Sequence, residues 1–162
     1  MTFLKFGFVA LTALTLAACS DSDEDMTAQP YDPNASTISE SSLQYFNTVV
    51  GDRVLFATDS SSIDSYASET LTRQAEWLNA NPGVSATIEG HADERGTREY
   101  NLALGARRAN AAYNFLVSRG VSASRLRTVS YGKERPEATC SNESCWSQNR
   151  RAVTVVAGAP MS

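Results

Sequence analysis

From Gly51 onward the chain alternates between two hydrophobic rhythms. Arg53-Val54-Leu55-Phe56 is a short strand, introduced by the turn pair Gly51-Asp52. Ser62 or Asp64 then caps a helix that runs to about Ala80, with apolar positions Tyr66, Leu71, Ala75 and Leu78 and a stop at Asn81-Pro82-Gly83. Val84 to Glu89 has period two, with Val84, Ala86 and Ile88 set against Ser85, Thr87 and Glu89, as in a strand with one buried face. A second helix covers about Thr97 to Arg119 and ends at Gly120. Leu126 to Tyr131 and Ala152 to Val156 are two more strands, joined by a long loop. The order is β-α-β-α-β-β, an α+β sandwich with the helices packed on one face of a small mixed sheet. Upstream, Leu43, Phe46 and Val50 suggest a short helix within Ser39 to Val50.

The start of the chain follows another pattern. Met1 to Lys5 carries one basic side chain, and Phe6 to Ala18 is almost wholly apolar, a length that suits a secretory signal and falls short of a membrane span. Leu16-Ala17-Ala18-Cys19 resembles the lipobox of bacterial lipoproteins, which implies cleavage before Cys19 and acyl chains on that residue. Each buried CH₂ of such a chain contributes about 0.8 kcal/mol, so several chains make release from a membrane very slow. Ser20 in the next position implies sorting to the outer membrane. Residues 1–18 are thus a signal peptide and 19–50 a lipidated N-terminus with an acidic, Ser- and Pro-containing tether. Residues 51–158 are the folded domain.

Composition narrows the function. With 14 basic against 18 acidic side chains and a formal charge of −4, nothing suggests a nucleic-acid partner. One histidine and three cysteines leave little for a metal site, and no cofactor motif is present. Cys140 and Cys145 share one loop, and in an oxidising compartment they form a local disulfide staple; two free thiols are the alternative. His91, without a serine elbow, an HExxH helix or a phosphate-binding glycine loop, is a hydrogen-bonded structural residue rather than a catalytic one. Trp77 is a helix packing residue and Trp146 a loop anchor beside Cys145.

The candidate chemistry lies between the second strand and second helix, in Gly90-His91-Ala92-Asp93-Glu94-Arg95-Gly96. Glycines flanking a charged turn at a strand end place backbone close to something. On the following helix, steps of about 100° put Leu102, Ala109, Tyr113 and Leu116 on a core stripe and point Arg107 into water. Arg108 then sits on the shoulder of that stripe, aligned with Asn101 and Phe115. A guanidinium there suits bidentate grip of a carboxylate, and equally suits a snorkelling boundary residue. Arg150 and Arg151 open the last strand and point to opposite faces, so at most one approaches a ligand; an ion-paired strand start is the other reading.

These segments, together with Tyr100-Asn101, Arg107-Arg108-Ala109-Asn110, Val129-Ser130-Tyr131-Gly132-Lys133-Glu134 and Asn149-Arg150-Arg151-Ala152-Val153, resemble the peptidoglycan-associated lipoproteins, within the larger group of OmpA-like domains. The resemblance spans roughly Gly51 to Val156. It implies a non-catalytic domain that holds the diaminopimelate of the peptidoglycan stem peptide, with Asp93 facing the ligand's ammonium, Arg108 its carboxylate, and Asn101 adding a hydrogen bond. Asp59, Thr97 and Leu104 are secondary candidates. The family's first strand commonly ends in an aspartate where this chain has Ala57, so a side-chain contact there is lost; Asp59 substitutes for it or serves as a turn residue. The resemblance further implies Tol proteins as partners, chiefly TolB, an outer-membrane location facing the periplasm, and a role in envelope integrity and constriction at division. A cell-wall-modifying enzyme and a lipoprotein acting only through protein partners are the rival readings.

Overall fold

The computed structural model describes residues 38–159; the expected signal peptide, Cys19 and most of the expected tether lie outside the described residues. A short helix α1 (Leu43–Tyr45) runs into a π-helical turn (Phe46–Gly51). There follow β1 (Arg53–Leu55), α2 (Ser65–Ala80), β2 (Ser85–His91), α3 (Arg98–Ser118), a 3₁₀ turn (Ala123–Arg125), β3 (Leu126–Gly132), α4 (Glu143–Asn149) and β4 (Arg151–Ala157). The sheet order is β1-β4-β2-β3, with β2 and β3 parallel and the other pairs antiparallel. The expected mixed α+β sheet is therefore present. The parallel pair arises from the β2-α3-β3 crossover, which only a helix-length connection permits.

Alternation decides which residues meet the helices. Val54, Ala86, Ile88, Ala152 and Val156 join α2 and α3 residues Leu71, Leu78, Ala109, Ala112 and Leu116 in one core. A buried polar bridge crosses it: Thr154 Oγ1 donates to Gln74 Oε1 at 2.8 Å, and Gln74 Nε2 donates to the Gly51 carbonyl at 2.7 Å. Both polar groups are satisfied, so their burial is tolerated.

Three features differ from expectation. Tyr66, read as an apolar position of α2, is 82% exposed: Asp64 caps α2 by accepting from Ala67 N, and Tyr66 falls on the outer side of the first turn. On α3 the buried face comprises Asn101, Leu104, Gly105, Arg108, Ala109, Ala112 and Leu116, while Leu102 is half exposed. The face is thus rotated toward Arg108, which is fully buried rather than on a shoulder. The cause is the approach of backbones. A Cβ at Gly90 would lie 1.8 Å from the Gly105 carbonyl oxygen, so α3 and β2 touch through two glycines, and the helix turns that side inward. Third, the long loop between the last two strands contains α4.

Packing also extends upstream of Gly51. Phe46 and Val50 are buried, Phe46 stacks on Trp77 with ring centroids 4.8 Å apart, and Trp77 Nε1 donates to the Glu40 carbonyl at 2.6 Å. Residues placed in the tether by their sequence are therefore part of the core.

His91 lies at the end of β2 with 2% of its surface exposed, and, against the expected hydrogen-bonded histidine, neither ring nitrogen has a protein hydrogen-bond partner. Burial, and then the nearby Arg151 and Arg135 guanidinia, push its pKa down from 6.5 to about 4. The unfolded chain takes up the proton first, so stability is complete above about pH 6.5 and is lost as pH falls toward 4. At pH 4 the loss from this residue is on the order of 3 kcal/mol. Denaturant unfolding at pH 7 and pH 4.5 should show this slope, and His91→Phe should flatten it.

Candidate functional site

The residues after β2 make a tight, pinned turn. Ala92 N donates to the Gly132 carbonyl at 2.8 Å. Lys133 Nζ donates to the carbonyls of Glu94 and Gly96 at 3.2 and 2.7 Å, and Asn101 Nδ2 donates to that of Arg95 at 2.8 Å. Gly96 has φ +92°, a left-handed conformation that explains glycine at the exit of the turn. Thr97 then caps α3, its Oγ1 accepting from Tyr100 N at 3.2 Å. Its side chain is a helix cap and does not line the site.

Beside this turn is a cleft of about 280 Å³ lined by Thr58, Asp59, Asp93, Arg95, Gly96, Tyr100, Asn101 and Leu104. The turn, the start of α3 and the β1–α2 loop thus bring together four of the residues expected from the sequence: Asp59, Asp93, Asn101 and Leu104. Asp59 has φ 53°, and its carboxylate accepts a hydrogen bond from the Tyr100 hydroxyl. Larger clefts lie between the first helical segment and α2, and beside β1. Both carry charges of each sign, from Glu40, Arg73 and Glu76 and from Arg53 and Asp64, but the smaller cleft is the one built on the turn after β2.

Arg108 is fully buried and absent from the lining of this cleft. Nε donates to the Ser60 carbonyl at 2.8 Å, Nη1 to that of His91 at 2.8 Å, and Nη2 to that of Ala57 at 3.2 Å. Its guanidinium carbon sits 5.3 Å from the centre of the Phe56 ring. Burial lowers its pKa to about 10, with Asp93 acting in the opposite direction, and it remains a cation at neutral pH. Arg108 therefore fastens the β1–α2 loop, which carries Ala57 and Asp59, to the end of β2.

Asp93 is 7% exposed, and Arg95 and Arg150 hold it. Arg95 Nη2 lies 2.7 Å from Oδ2, while Arg95 Nε and backbone N donate to Oδ1 at 3.2 and 3.1 Å. Arg150 Nη1 reaches Oδ2 at 3.4 Å. Burial raises the Asp93 pKa, but the hydrogen bonds from the two arginines outweigh it and hold the carboxyl below its ordinary value. No ion pair joins Asp93 to Arg108 among the described residues. Sequence patterning missed the close role of Arg95, which the motif contains but whose contact it does not reveal.

Arg150 ends α4 and turns toward Asp93, with Nε on the Phe56 carbonyl at 3.0 Å and Nη2 paired with Glu143. Arg151 turns the other way, with Nη2 3.3 Å from the Arg135 carbonyl. Only Arg151 belongs to β4; Arg150 is the C-cap of α4, so strand alternation does not set its direction, and both arginines are ion-paired. In α4, Asn142 caps the first turn, and Trp146 Nε1 donates to Glu94 Oε1 at 3.1 Å. The Cys140 and Cys145 sulfurs are bonded, with Cα atoms 5.5 Å apart, closing the segment that leads into α4. A loop this short restrains the unfolded chain by about 2 kcal/mol. Replacing both cysteines by serine should lower unfolding stability by that amount, and reductant should destabilise the parent protein but leave the double variant unchanged.

No group of three or more His, Cys, Asp or Glu side chains suited to a metal occurs among the described residues, and no helix there is long and apolar enough to cross a membrane.

Comparison with known proteins agrees with this architecture. Residues 55–151 match the model of the OmpA family. The chain is 56% identical over 153 residues to a peptidoglycan-associated lipoprotein of Mesorhizobium japonicum, covering 93% of this chain and 91% of that protein. It is 54% identical over 156 residues to one of Agrobacterium fabrum, covering 94% and 88%. The crystal structure of the peptidoglycan-associated lipoprotein from Burkholderia pseudomallei superposes with a TM-score of 0.66 at 39% identity, covering 68% of this chain and 96% of that one. The chain belongs to the OmpA family and, within it, to the peptidoglycan-associated lipoproteins.

Proposed function

We propose that this protein binds peptidoglycan non-covalently through the free amino-acid end of diaminopimelate in the stem peptide, and so ties the outer membrane to the cell wall. The observation that carries the reading is the buried Asp93 carboxylate on the wall of a small cleft, with the buried Arg108 cation fastening the loop that brings Asp59 to the same cleft. A free amino-acid end bears one charge of each sign. Asp93 receives its ammonium, Asn101 adds a hydrogen bond, and Leu104 supplies an apolar wall. Arg108 spends three of its five N–H donors on carbonyls, and its positive charge draws the ligand's carboxylate. Ala57 offers no carboxylate of its own, and Asp59 stands two residues further along the same cleft.

Acyl chains on Cys19 would hold many copies beside a polymer of repeated ligands, so modest affinity at each site sums to firm adhesion. Tol proteins, TolB above all, are the protein partners in this reading, competing with peptidoglycan in support of envelope integrity and constriction at division. Binding without bond cleavage is the chemistry of this reading: the Asp93 carboxylate in the cleft is held in ion pairs by Arg95 and Arg150.

Sedimentation of the full chain in detergent with diaminopimelate-type peptidoglycan tests the reading. The protein should pellet with the wall, and free diaminopimelate should return it to the supernatant. Release of wall fragments would point to an enzyme, and failure to pellet would point to protein partners alone.

A further inference from the structure

Arg95 occupies the place on Asp93 that the proposed ligand needs. Its guanidinium takes one hydrogen bond to each carboxylate oxygen, at 3.2 Å to Oδ1 and 2.7 Å to Oδ2, as a bound ammonium would in part. Yet its side chain is 40% exposed, whereas Arg150 on the same carboxylate is almost wholly buried and held by Phe56 and Glu143 as well. One of the two cations on Asp93 is thus buried in place, while the other is partly exposed, with Thr58 Oγ1 at 3.4 Å as its further polar contact. The Trp146 ring, 4.3 Å from the Arg95 guanidinium carbon, gives it a resting surface at the rim of the cleft.

We infer that Arg95 is a specificity-determining residue: it acts as a built-in competitor for Asp93 that yields to a ligand carrying an ammonium and a carboxylate together, and not to one carrying an ammonium alone. A bare ammonium must break the Arg95–Asp93 pair and leaves the guanidinium without an anion. A zwitterionic end breaks the same pair but brings a carboxylate, which the displaced guanidinium meets at the rim, so the lost ion pair is replaced. The step is an exchange of partners, with no covalent bond made or broken. Trp146 keeps the displaced group close to the ligand, and its own hydrogen bond to Glu94 fixes the ring.

This inference rests on the diaminopimelate reading of the cleft, and its test separates the two. Affinities of the full chain in detergent are measured by calorimetry for two muropeptides that differ only in diaminopimelate against lysine, a residue with the ammonium but without the second carboxylate. The parent protein should prefer the diaminopimelate form. Arg95→Met should bind the lysine form about fivefold more tightly, as loss of a partly exposed ion pair allows, and the preference should shrink accordingly. An unchanged preference in Arg95→Met, or weaker binding of both muropeptides alike, overturns the role of Arg95 while leaving the site in place. If Asp93→Asn binds the diaminopimelate form as well as the parent does, the site itself is wrong. Circular dichroism of each variant confirms that the fold is intact.

Discussion

Asp93→Asn should abolish measurable cosedimentation with diaminopimelate-type peptidoglycan. The carboxylate is 7% exposed and is the acceptor assigned to the ligand's ammonium. Truncating one member of a buried, hydrogen-bonded charge pair costs about 2–5 kcal/mol, much of it from the charge left without a partner. That corresponds to an affinity loss of roughly 30-fold or more. The amide retains the shape of the side chain, but leaves Arg95 and Arg150 facing each other across a neutral group, so a small fall in stability accompanies the loss of binding. The two effects separate by temperature. At 20 °C the variant should be folded by circular dichroism and still remain in the supernatant. Retained binding in a folded Asp93→Asn variant would remove the carboxylate from the site.

Arg108→Leu should produce the largest loss of stability. Three backbone carbonyls, those of Ala57, Ser60 and His91, depend on its guanidinium, and none of its surface is exposed. Removing the donors strands the buried His91 carbonyl and unfastens the part-buried carbonyls of Ser60 and Ala57, at about 1–3 kcal/mol for an acceptor left without a partner, while removing a costly buried charge returns part of that sum. A net loss on the order of 3 kcal/mol follows, which lowers Tm by roughly 10 °C for a domain of this size. Arg108→Lys should recover little of it, because one ammonium at the end of a flexible chain does not reproduce a planar fork that reaches three carbonyls. Thermal unfolding checks both variants. Binding should fall as well, since the β1–α2 loop that carries Asp59 loses its fastening. A variant as stable as the parent would mean that those carbonyls find other donors.

The legible part of this fold is the part governed by alternation and capping. Val84, Ala86 and Ile88 announced a one-sided strand, and all three are buried. Thr97 before a long helix and Gly120 after it fixed the ends of α3 to within two residues. The orientation of that helix was harder, because an apolar stripe centred on Leu102 ignores polar side chains that are buried by their partners. Asn101 and Arg108 belong to the core since the turn and the β1–α2 loop supply carbonyls for them, contacts made across intervals of 6 to 51 residues. Helix α4 was hidden for another reason. Seven residues with two serines, a cysteine and an asparagine have no helical rhythm, and the Asn142 cap and the Cys140–Cys145 bond organise them instead.

At the candidate site, the motif itself exposed Asp93, while the partners of its carboxylate were less visible. Arg150 lies 57 residues away in sequence, and only the order β1-β4-β2-β3 brings the start of β4 beside the end of β2. Arg95, two residues from Asp93, resembles a solvated turn residue until its contact with both carboxylate oxygens is seen.

The packing of Phe46 against Trp77, together with the bond from Trp77 to the Glu40 carbonyl, has a mechanical meaning. Force arriving from the upstream end of the chain meets this latch before it reaches the three-residue strand β1 at the sheet's edge. The latch is anchored on α2, and the cleft is built on β2, α3 and the loop after β1. A pull can therefore peel away the first helical turn while the grip of the cleft is undisturbed, so that slack is released at one end before hold is lost at the other.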